Sequence, residues 1–129
     1  MNASPIVRTP GNARMSKMVR AGNLLFLAGQ TSSGAPEART IEEQATEALG
    51  RIDTLLEQAG SSKQQLLSVT IYLKDMALFD RMNAVWQNWV DPQHLPARCT
   101  VQATLGLPEL LVEFNVTAAA NEQQPPACA

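Results

Sequence analysis

The sequence is poor in charge and has no cluster of charge of one sign. Of its 129 residues 17% are charged, ten lysines and arginines stand against twelve aspartates and glutamates, and the net charge is −2. A nucleic-acid-binding surface, or a surface for anionic lipids, carries clustered lysine and arginine, and no such run is present. We therefore expect neither nucleic acid nor a membrane as a partner.

Histidine, cysteine and long apolar runs are also scarce. His94 is the only histidine, and Cys99 and Cys128 are the only cysteines. This excludes a disulfide framework, and no HExxH or CxxC spacing for a metal is present. No glycine-rich phosphate loop and no apolar stretch of transmembrane length occurs. We expect a cytoplasmic protein with no metal site and no nucleotide cofactor.

What the sequence does have is a globular composition, with 45% hydrophobic residues in a length typical of one domain. Residues 1–14 contain two prolines and a glycine, and we expect an irregular segment there. Residues 15–120 are predicted to form a single domain. Residues 121–129 are polar and proline-rich, and we expect a disordered tail.

Hydrophobic periodicity predicts two helices. Thr40 and Glu43 have the spacing of a capping box, and the helical apolar stripe that follows ends before Gly60. Asp75 is placed to cap a second helix, which continues to the Asp91-Pro92 pair.

Five strands are predicted around these helices, at residues 16–19, 24–28, 67–73, 98–105 and 111–118. The second of them is a continuous apolar run, so we expect it to be buried on both faces. The order β-β-α-β-α-β-β predicts an α+β fold with one sheet and both helices on one of its faces.

The sheet face away from the helices is predicted to be polar but mostly uncharged, which is typical of an interface between subunits. Arg98 falls on it by alternation, opposite Cys99, Val101 and Ala103, which are predicted core residues. A guanidinium on a rigid strand can bind a carboxylate through two hydrogen bonds. The pattern alone nevertheless favours a solvated strand-end arginine. Besides Arg98, the sheet face away from the helices is predicted to contain Ser68, Thr70, Tyr72, Thr100, Gln102, Asn115 and Thr117.

Three further polar residues deserve an assignment. Glu113 alternates with Val112 and Phe114, and its carboxylate can transfer a proton or orient water, although a surface ion pair is the commoner role. Asn83 lies close to the apolar stripe of the second helix, where a structural hydrogen bond and a ligand contact are equally good explanations. His94 has no second histidine with which to share acid–base chemistry.

Residues 21–30 (AGNLLFLAGQ), 69–75 (VTIYLKD) and 96–101 (PARCTV), with Val112-Glu113-Phe114, together resemble the reactive-intermediate deaminase family, the RidA/YjgF proteins. The string RCTVQA at residues 98–103 most resembles the YoaB-like branch. The resemblance implies a chorismate-mutase-like fold and a homotrimer with sites between subunits. It also implies cofactor-free hydrolysis of 2-imino or enamine acids to 2-keto acids and ammonia.

The resemblance further implies a role for five residues. Arg98 would bind the substrate carboxylate, and Glu113 would position or activate water. The backbones of Gly29 and Thr100 would line the pocket, and Asn83 would help to shape it.

The chain departs from the family pattern in places. Met15 stands where an aromatic hydroxyl residue is usual, Thr100 stands where cysteine is frequent, and the loops after Gln30 and before Arg98 are short. The side chain of the accepted substrate is therefore not implied. Two binding alternatives stay open, a non-catalytic module for small carboxylates and a structural interaction protein. An RNA-cleaving or translation-inhibiting role fits the charge and the lone histidine less well.

Overall fold

The structure of the chain is a computed structural model that describes residues 5–121. Two α-helices and six strands occur there, joined in two places by 3-10 turns at Lys63–Gln65 and Met76–Leu78. Neither α-helix is both long and apolar enough to cross a bilayer. The elements are β1 (Val7–Pro10), β2 (Ser16–Ala21), β3 (Leu24–Leu27), α1 (Ile41–Gln58), β4 (Leu66–Leu73), α2 (Phe79–Trp89), β5 (Ala97–Gln102) and β6 (Val112–Ala119).

The six strands form one mixed sheet in the order β1-β2-β3-β6-β4-β5. All neighbours are antiparallel except β4 and β5, which are parallel, and α2 lies in the crossover that a parallel pair requires. The predicted α+β fold with one mixed sheet and two helices is confirmed.

The structure contains one strand more than predicted. Residues 1–14 were expected to be irregular, yet β1 lies within them and pairs with β2 from Val7 opposite Arg20. Pro10 closes this strand at the sheet edge, where a missing backbone donor is tolerated. The expected disordered tail lies, apart from Asn121, outside the described residues and stays a prediction.

Helix α1 begins and ends as predicted. The Glu43 amide donates to the Thr40 hydroxyl at 3.1 Å, and the Thr40 amide donates back to the Glu43 carboxylate at 3.0 Å. The hydrogen bond from the Thr40 amide, together with one from the Arg39 amide, lowers the pKa of the Glu43 carboxyl from its ordinary value. Gly60 follows the helix with φ +71°, a conformation that favours glycine.

The core lies between the two helices and one face of the sheet. Strand β6 is central, and the Phe114 ring stacks on Trp86 of α2 with centroids 6.3 Å apart. Burial of these apolar side chains is the main force that holds helices and sheet together. The largest fully buried side chains include Leu25, Ile41, Leu49, Ile52, Leu56, Ile71, Leu73, Met82 and Phe114.

The other face of the sheet has no cover within the described chain. Leu24 and Phe26 of β3 lie on it and are 42% and 44% exposed, so the expectation that this strand is buried on both faces is wrong for a single chain. Both helices pack on the opposite face and leave this one open. A register shift between Leu66 and Ser68 also leaves Leu67 exposed and buries Leu66 instead.

Candidate functional site

Arg98 of β5 is held against α2 by three side chains. Its Nη1 donates to the Asn83 Oδ1 at 2.7 Å. The guanidinium carbon lies 5.8 Å from the centroid of the Phe79 ring and 5.6 Å from that of Trp86. Residues 79, 83 and 86 share one face of a helix, so α2 presents one amide and two rings to one cation. We call Asn83, Phe79 and Trp86 the Arg98 cradle.

The charge of Arg98 is partly buried and has no acidic partner among residues 5–121. This burial lowers the pKa of the guanidinium, because it removes water that would stabilise the charge. The group nevertheless stays protonated at neutral pH. A fixed, partly desolvated cation without a counter-charge is well suited to bind an anion.

Thr100 lies two residues further along β5, beside Arg98. Its hydroxyl oxygen is buried and has no hydrogen-bond partner among the described residues. A buried hydroxyl of this kind costs free energy unless something completes its bonding. The strand edge next to Arg98 therefore has unused hydrogen-bonding capacity.

Arg98, Thr100 and Gln102 share one face of β5, as predicted, but it is the helix face and not the open one. Arg98 pairs with Val69, and Thr100 pairs with the fully buried Ile71. Gln102 accepts a hydrogen bond from the Met76 amide at 2.9 Å, also on the helix side.

The residues predicted to be core on this strand lie on the open side of the sheet. Cys99 and Val101 are exposed, and the Cys99 Sγ lies 3.6 Å from the Thr70 hydroxyl. The prediction that they are core is wrong because β5 is an edge strand. At the edge the helix side is not fully covered and can hold polar groups, so polarity does not identify the face.

Glu113 of β6 lies on the open face, where it pairs with Tyr72 of β4. Its carboxylate packs directly on Gly29, and any Cβ at Gly29 would collide with it. Gly29 precedes Gln30, whose amide donates to the Phe114 carbonyl at 2.8 Å and so ties the end of β3 to β6. Glycine at this position lets a half-buried carboxylate lie against backbone.

The predicted site residues thus form two groups that one chain does not bring together. Arg98, Asn83 and Thr100 lie on the helix side at the β5 edge, whereas Glu113 and Gly29 lie on the open side. Two strand spacings and a three-residue offset separate the Cα atoms of Arg98 and Glu113 by roughly 14 Å, with side chains on opposite faces. We call the two groups the Arg98 half-site and the Glu113 half-site.

His94 and Met15 complete the inventory of residues discussed from the sequence. His94 lies in the loop four residues before Arg98, and its Nδ1 is 3.2 Å from the Asp91 carboxylate. A backbone hydrogen bond from Gln93, with a smaller contribution from His94, lowers the pKa of Asp91. Met15 is half exposed beside Gly29 and Lys17.

Sequence comparison assigns the chain to a family. A family model described as Endoribonuclease L-PSP matches residues 7–120, and thus contains both half-sites. The RutC family protein YoaB of Escherichia coli strain K12 is 40% identical over 116 residues, which span 88% of this chain and 97% of that protein. The chain belongs to the RidA/YjgF family. A RutC family protein of Haemophilus influenzae is 38% identical over 113 residues, with the same two coverages.

Solved structures of RidA/YjgF relatives share the fold. NMB1025 of Neisseria meningitidis, a member of the YjgF protein family, is 35% identical, with a TM-score of 0.88 over 95% of this chain and all of that one. A putative translation initiation inhibitor from Salmonella typhimurium is 39% identical, with a TM-score of 0.80 over 89% of this chain and 97% of that one.

The RidA/YjgF resemblance did not identify Phe79 or Trp86 as part of the site. The helical spacing of Trp86 and Trp89 is most simply that of core residues, and the Trp86 ring does stack on Phe114. The available signal was the spacing of 79, 83 and 86, which puts two rings and an amide on one helical face. Nothing in the sequence indicated that this face meets Arg98.

Proposed function

We propose that the protein hydrolyses 2-imino acids, and enamine acids after they tautomerise to imines, to 2-keto acids and ammonia. The Arg98 cradle carries this proposal. It holds a planar cation in one orientation, leaves it without a counter-charge and keeps it partly out of water. A substrate carboxylate fits that position, since it accepts two parallel hydrogen bonds from a guanidinium.

The chemistry asks little more than placement. The carbon of a protonated imine is electrophilic, and water adds to it to give a tetrahedral carbinolamine. A proton then reaches the nitrogen, the C–N bond breaks and ammonia leaves, while the carbinolamine hydroxyl releases its hydrogen as a proton and its oxygen becomes the keto oxygen. Holding the imine carbon near an ordered water lowers the entropic cost of this addition.

In this proposal Glu113 handles the water. Its carboxylate accepts a proton as the water adds, and the same proton can pass to the departing nitrogen. The carboxylate also favours the protonated imine, because the two opposite charges attract. Because Gly29 has no side chain, this carboxylate can lie directly against the backbone at the end of β3.

The separation of the half-sites supports a working site that forms between subunits. One chain presents Arg98 and Glu113 on opposite faces of its sheet. A neighbouring copy that packs on the open face can bring its own Arg98 edge next to Glu113. The homotrimer that the family resemblance implies is one closed arrangement that repeats this contact three times.

An assay of ammonia release from freshly generated 2-iminobutanoate tests the proposal. Wild-type protein is expected to accelerate the release above the rate in buffer. Arg98→Ala should reduce kcat/KM by about thirtyfold or more, since removing one partner of a partly buried charge pair costs at least 2 kcal/mol. Glu113→Gln should lower kcat with a smaller effect on KM.

Matched variants control for loss of charge alone. Arg14→Ala removes an exposed arginine and Glu57→Gln removes an exposed carboxylate of α1, and neither belongs to a half-site. Both should retain the wild-type rate. Full activity of Arg98→Ala would refute the proposal. Affinity for 2-oxobutanoate without any rate enhancement would instead support a non-catalytic carboxylate-binding module.

A further inference from the structure

A cleft of about 540 Å³ adjoins the Glu113 half-site at Gly29. Met15, Lys17 and Gly29 line one side, and Arg51, Thr54 and Gln58 of α1 line the other. The Ala28 amide donates to the Lys17 carbonyl at 2.9 Å, so Lys17 lies directly beside the end of β3. We call this the Lys17 cleft.

The lining of the Lys17 cleft carries one positive charge without a counter-charge in the described chain, that of Lys17, because Arg51 is paired with Glu47. Two of its lining residues are cations and none is acidic. The Lys17 ammonium has no hydrogen-bond or ion-pair partner within residues 5–121. Arg51 is fixed in place, since its Nε donates to Glu47 at 2.9 Å and its Nη1 donates to the Ser33 carbonyl at 2.8 Å. Nη2 is left over as a donor. The Thr31 hydroxyl and the Gln58 amide can donate further hydrogen bonds, whereas the Thr54 hydroxyl already donates to the Gly50 carbonyl.

Gly29 connects this cleft to the proposed reaction site. One side of its backbone meets the Glu113 carboxylate, and the same residue lines the cleft. Gly29 therefore separates the Glu113 carboxylate from the cleft, and a substrate side chain that extends past this glycine would enter the cleft. An apolar side chain would gain contact only with Met15 and Leu55, whereas an anionic one would meet the Lys17 ammonium, which has no counter-charge in the described chain.

We propose that the Lys17 cleft binds a second carboxylate, so that the preferred substrates are 2-imino dicarboxylic acids. This inference rests on the proposed hydrolysis for the identity of the substrate, but not for the anion-binding property of the cleft. Lys17 is assigned as the residue that determines specificity, and Arg51 as the fixed second donor. The charge of Lys17, rather than the shape of the cleft, selects the ligand.

Calorimetric binding of two stable keto acids of equal length tests the inference. 2-Oxoglutarate and 2-oxopentanoate differ only in the distal carboxylate. The dicarboxylate is expected to bind about tenfold more tightly, which is the effect of one charge-assisted hydrogen bond of roughly 1.4 kcal/mol. Lys17→Met should bring the two affinities together, and Lys17→Glu should make the monocarboxylate the better ligand.

Lys63→Met is the matched control, because it removes a lysine that lies over Trp89 and outside the Lys17 cleft. It should keep the tenfold ratio. Equal affinities in the wild type, a ratio that Lys17→Met leaves unchanged, or an equal loss in Lys63→Met would each overturn the inference. Circular dichroism of each variant verifies that it is folded, and Lys17→Gln replaces Lys17→Met if that variant is not.

Turnover separates this inference from the function on which it rests. If no imino acid is hydrolysed but the Lys17-dependent preference for 2-oxoglutarate remains, hydrolysis is wrong and the dicarboxylate subsite stands. If hydrolysis depends on Arg98 but proceeds equally well with 2-iminopentanoate and 2-iminoglutarate, whatever residue stands at 17, the function stands and the subsite is wrong.

Discussion

Arg98 is a cation whose orientation is fixed before any ligand arrives. Asn83 accepts one of its hydrogen bonds. Phe79 and Trp86, about one helical turn before and after Asn83, place their rings beside the guanidinium. A pre-oriented side chain loses little conformational entropy when a ligand binds, so more of the interaction appears as affinity. The amide of Asn83 matters here because it is neutral: it orients the guanidinium without cancelling its charge.

Replacing Asn83 with aspartate tests whether the neutral amide is needed, because the change replaces only the side-chain nitrogen by a charged oxygen. Asn83→Asp keeps the size and the acceptor oxygen but pairs Arg98 within the chain. We expect affinity for 2-oxobutanoate to fall by about tenfold or more, since the internal carboxylate competes for the same donors, while thermal stability does not fall. Asn88→Asp adds the same charge at an exposed position of α2 and should bind as wild type does.

The unpaired hydroxyl of Thr100 gives a second prediction at this scale. Thr100→Val should stabilise the unliganded protein by about 1 kcal/mol, because a buried hydroxyl without a partner is removed. The same change should weaken keto-acid binding if a ligand completes that bonding. Urea unfolding and calorimetry measure the two effects. Thr100→Ser retains the hydroxyl and should retain binding; a Thr100→Val variant that loses stability would contradict the prediction.

At the scale of elements, α2 has to be held in position because the whole Arg98 cradle belongs to it. Besides the core contact of Trp86 with Phe114, a bidentate ion pair joins the helices: Arg81 of α2 donates to Glu42 of α1 at 2.7 and 2.8 Å. This hydrogen bonding lowers the pKa of the Glu42 carboxyl from 4.5 to about 2. The pair is exposed, so its contribution is modest and screened by salt.

The lowered pKa of Glu42 predicts a pH dependence. A carboxylate whose pKa is lower in the folded state stabilises the fold above its unfolded pKa of 4.5 and loses that effect as the pH falls towards 2. Glu42→Gln should therefore lose less stability than wild type when acidified through this window. Glu57 has no ion pair in the described chain, so the stability of Glu57→Gln should change with pH as that of wild type does. Urea unfolding at a series of pH values decides between them.

The helices and strands also show which structural features could be predicted from the sequence and which could not. The capping box at Thr40 and the stop at Gly60 are local signals, and α1 follows them. The alternation that puts Arg98, Thr100 and Gln102 on one face of the strand is also confirmed. The prediction that this is the face away from the helices is wrong. That prediction assumed that polar side chains lie on the face away from the helices. At the edge strand β5 the Arg98 side chain instead lies on the helix side, where Asn83 of α2 accepts its hydrogen bond. Which helix meets an edge strand is tertiary information that periodicity does not contain.

At the scale of the whole molecule, the open sheet face and the divided site point to the same requirement. Leu24, Phe26 and Val101 are exposed there among uncharged polar groups, and Glu113 lies on that face as well. A second copy on this face would cover apolar surface and supply the Arg98 that Glu113 lacks nearby. Assembly would then be a condition for activity and not only for stability.

Mixing two inactive variants tests this central claim most directly. Arg98→Ala and Glu113→Ala chains are unfolded together in equal amounts, refolded, and assayed for ammonia release from 2-iminobutanoate. If each site takes Arg98 from one chain and Glu113 from its neighbour, random mixing restores about a quarter of the wild-type rate, because one pairing in four is intact. Each variant refolded alone should stay inactive. A mixture that is as inactive as its two components would contradict the account, since it would mean that Arg98 and Glu113 act from the same chain.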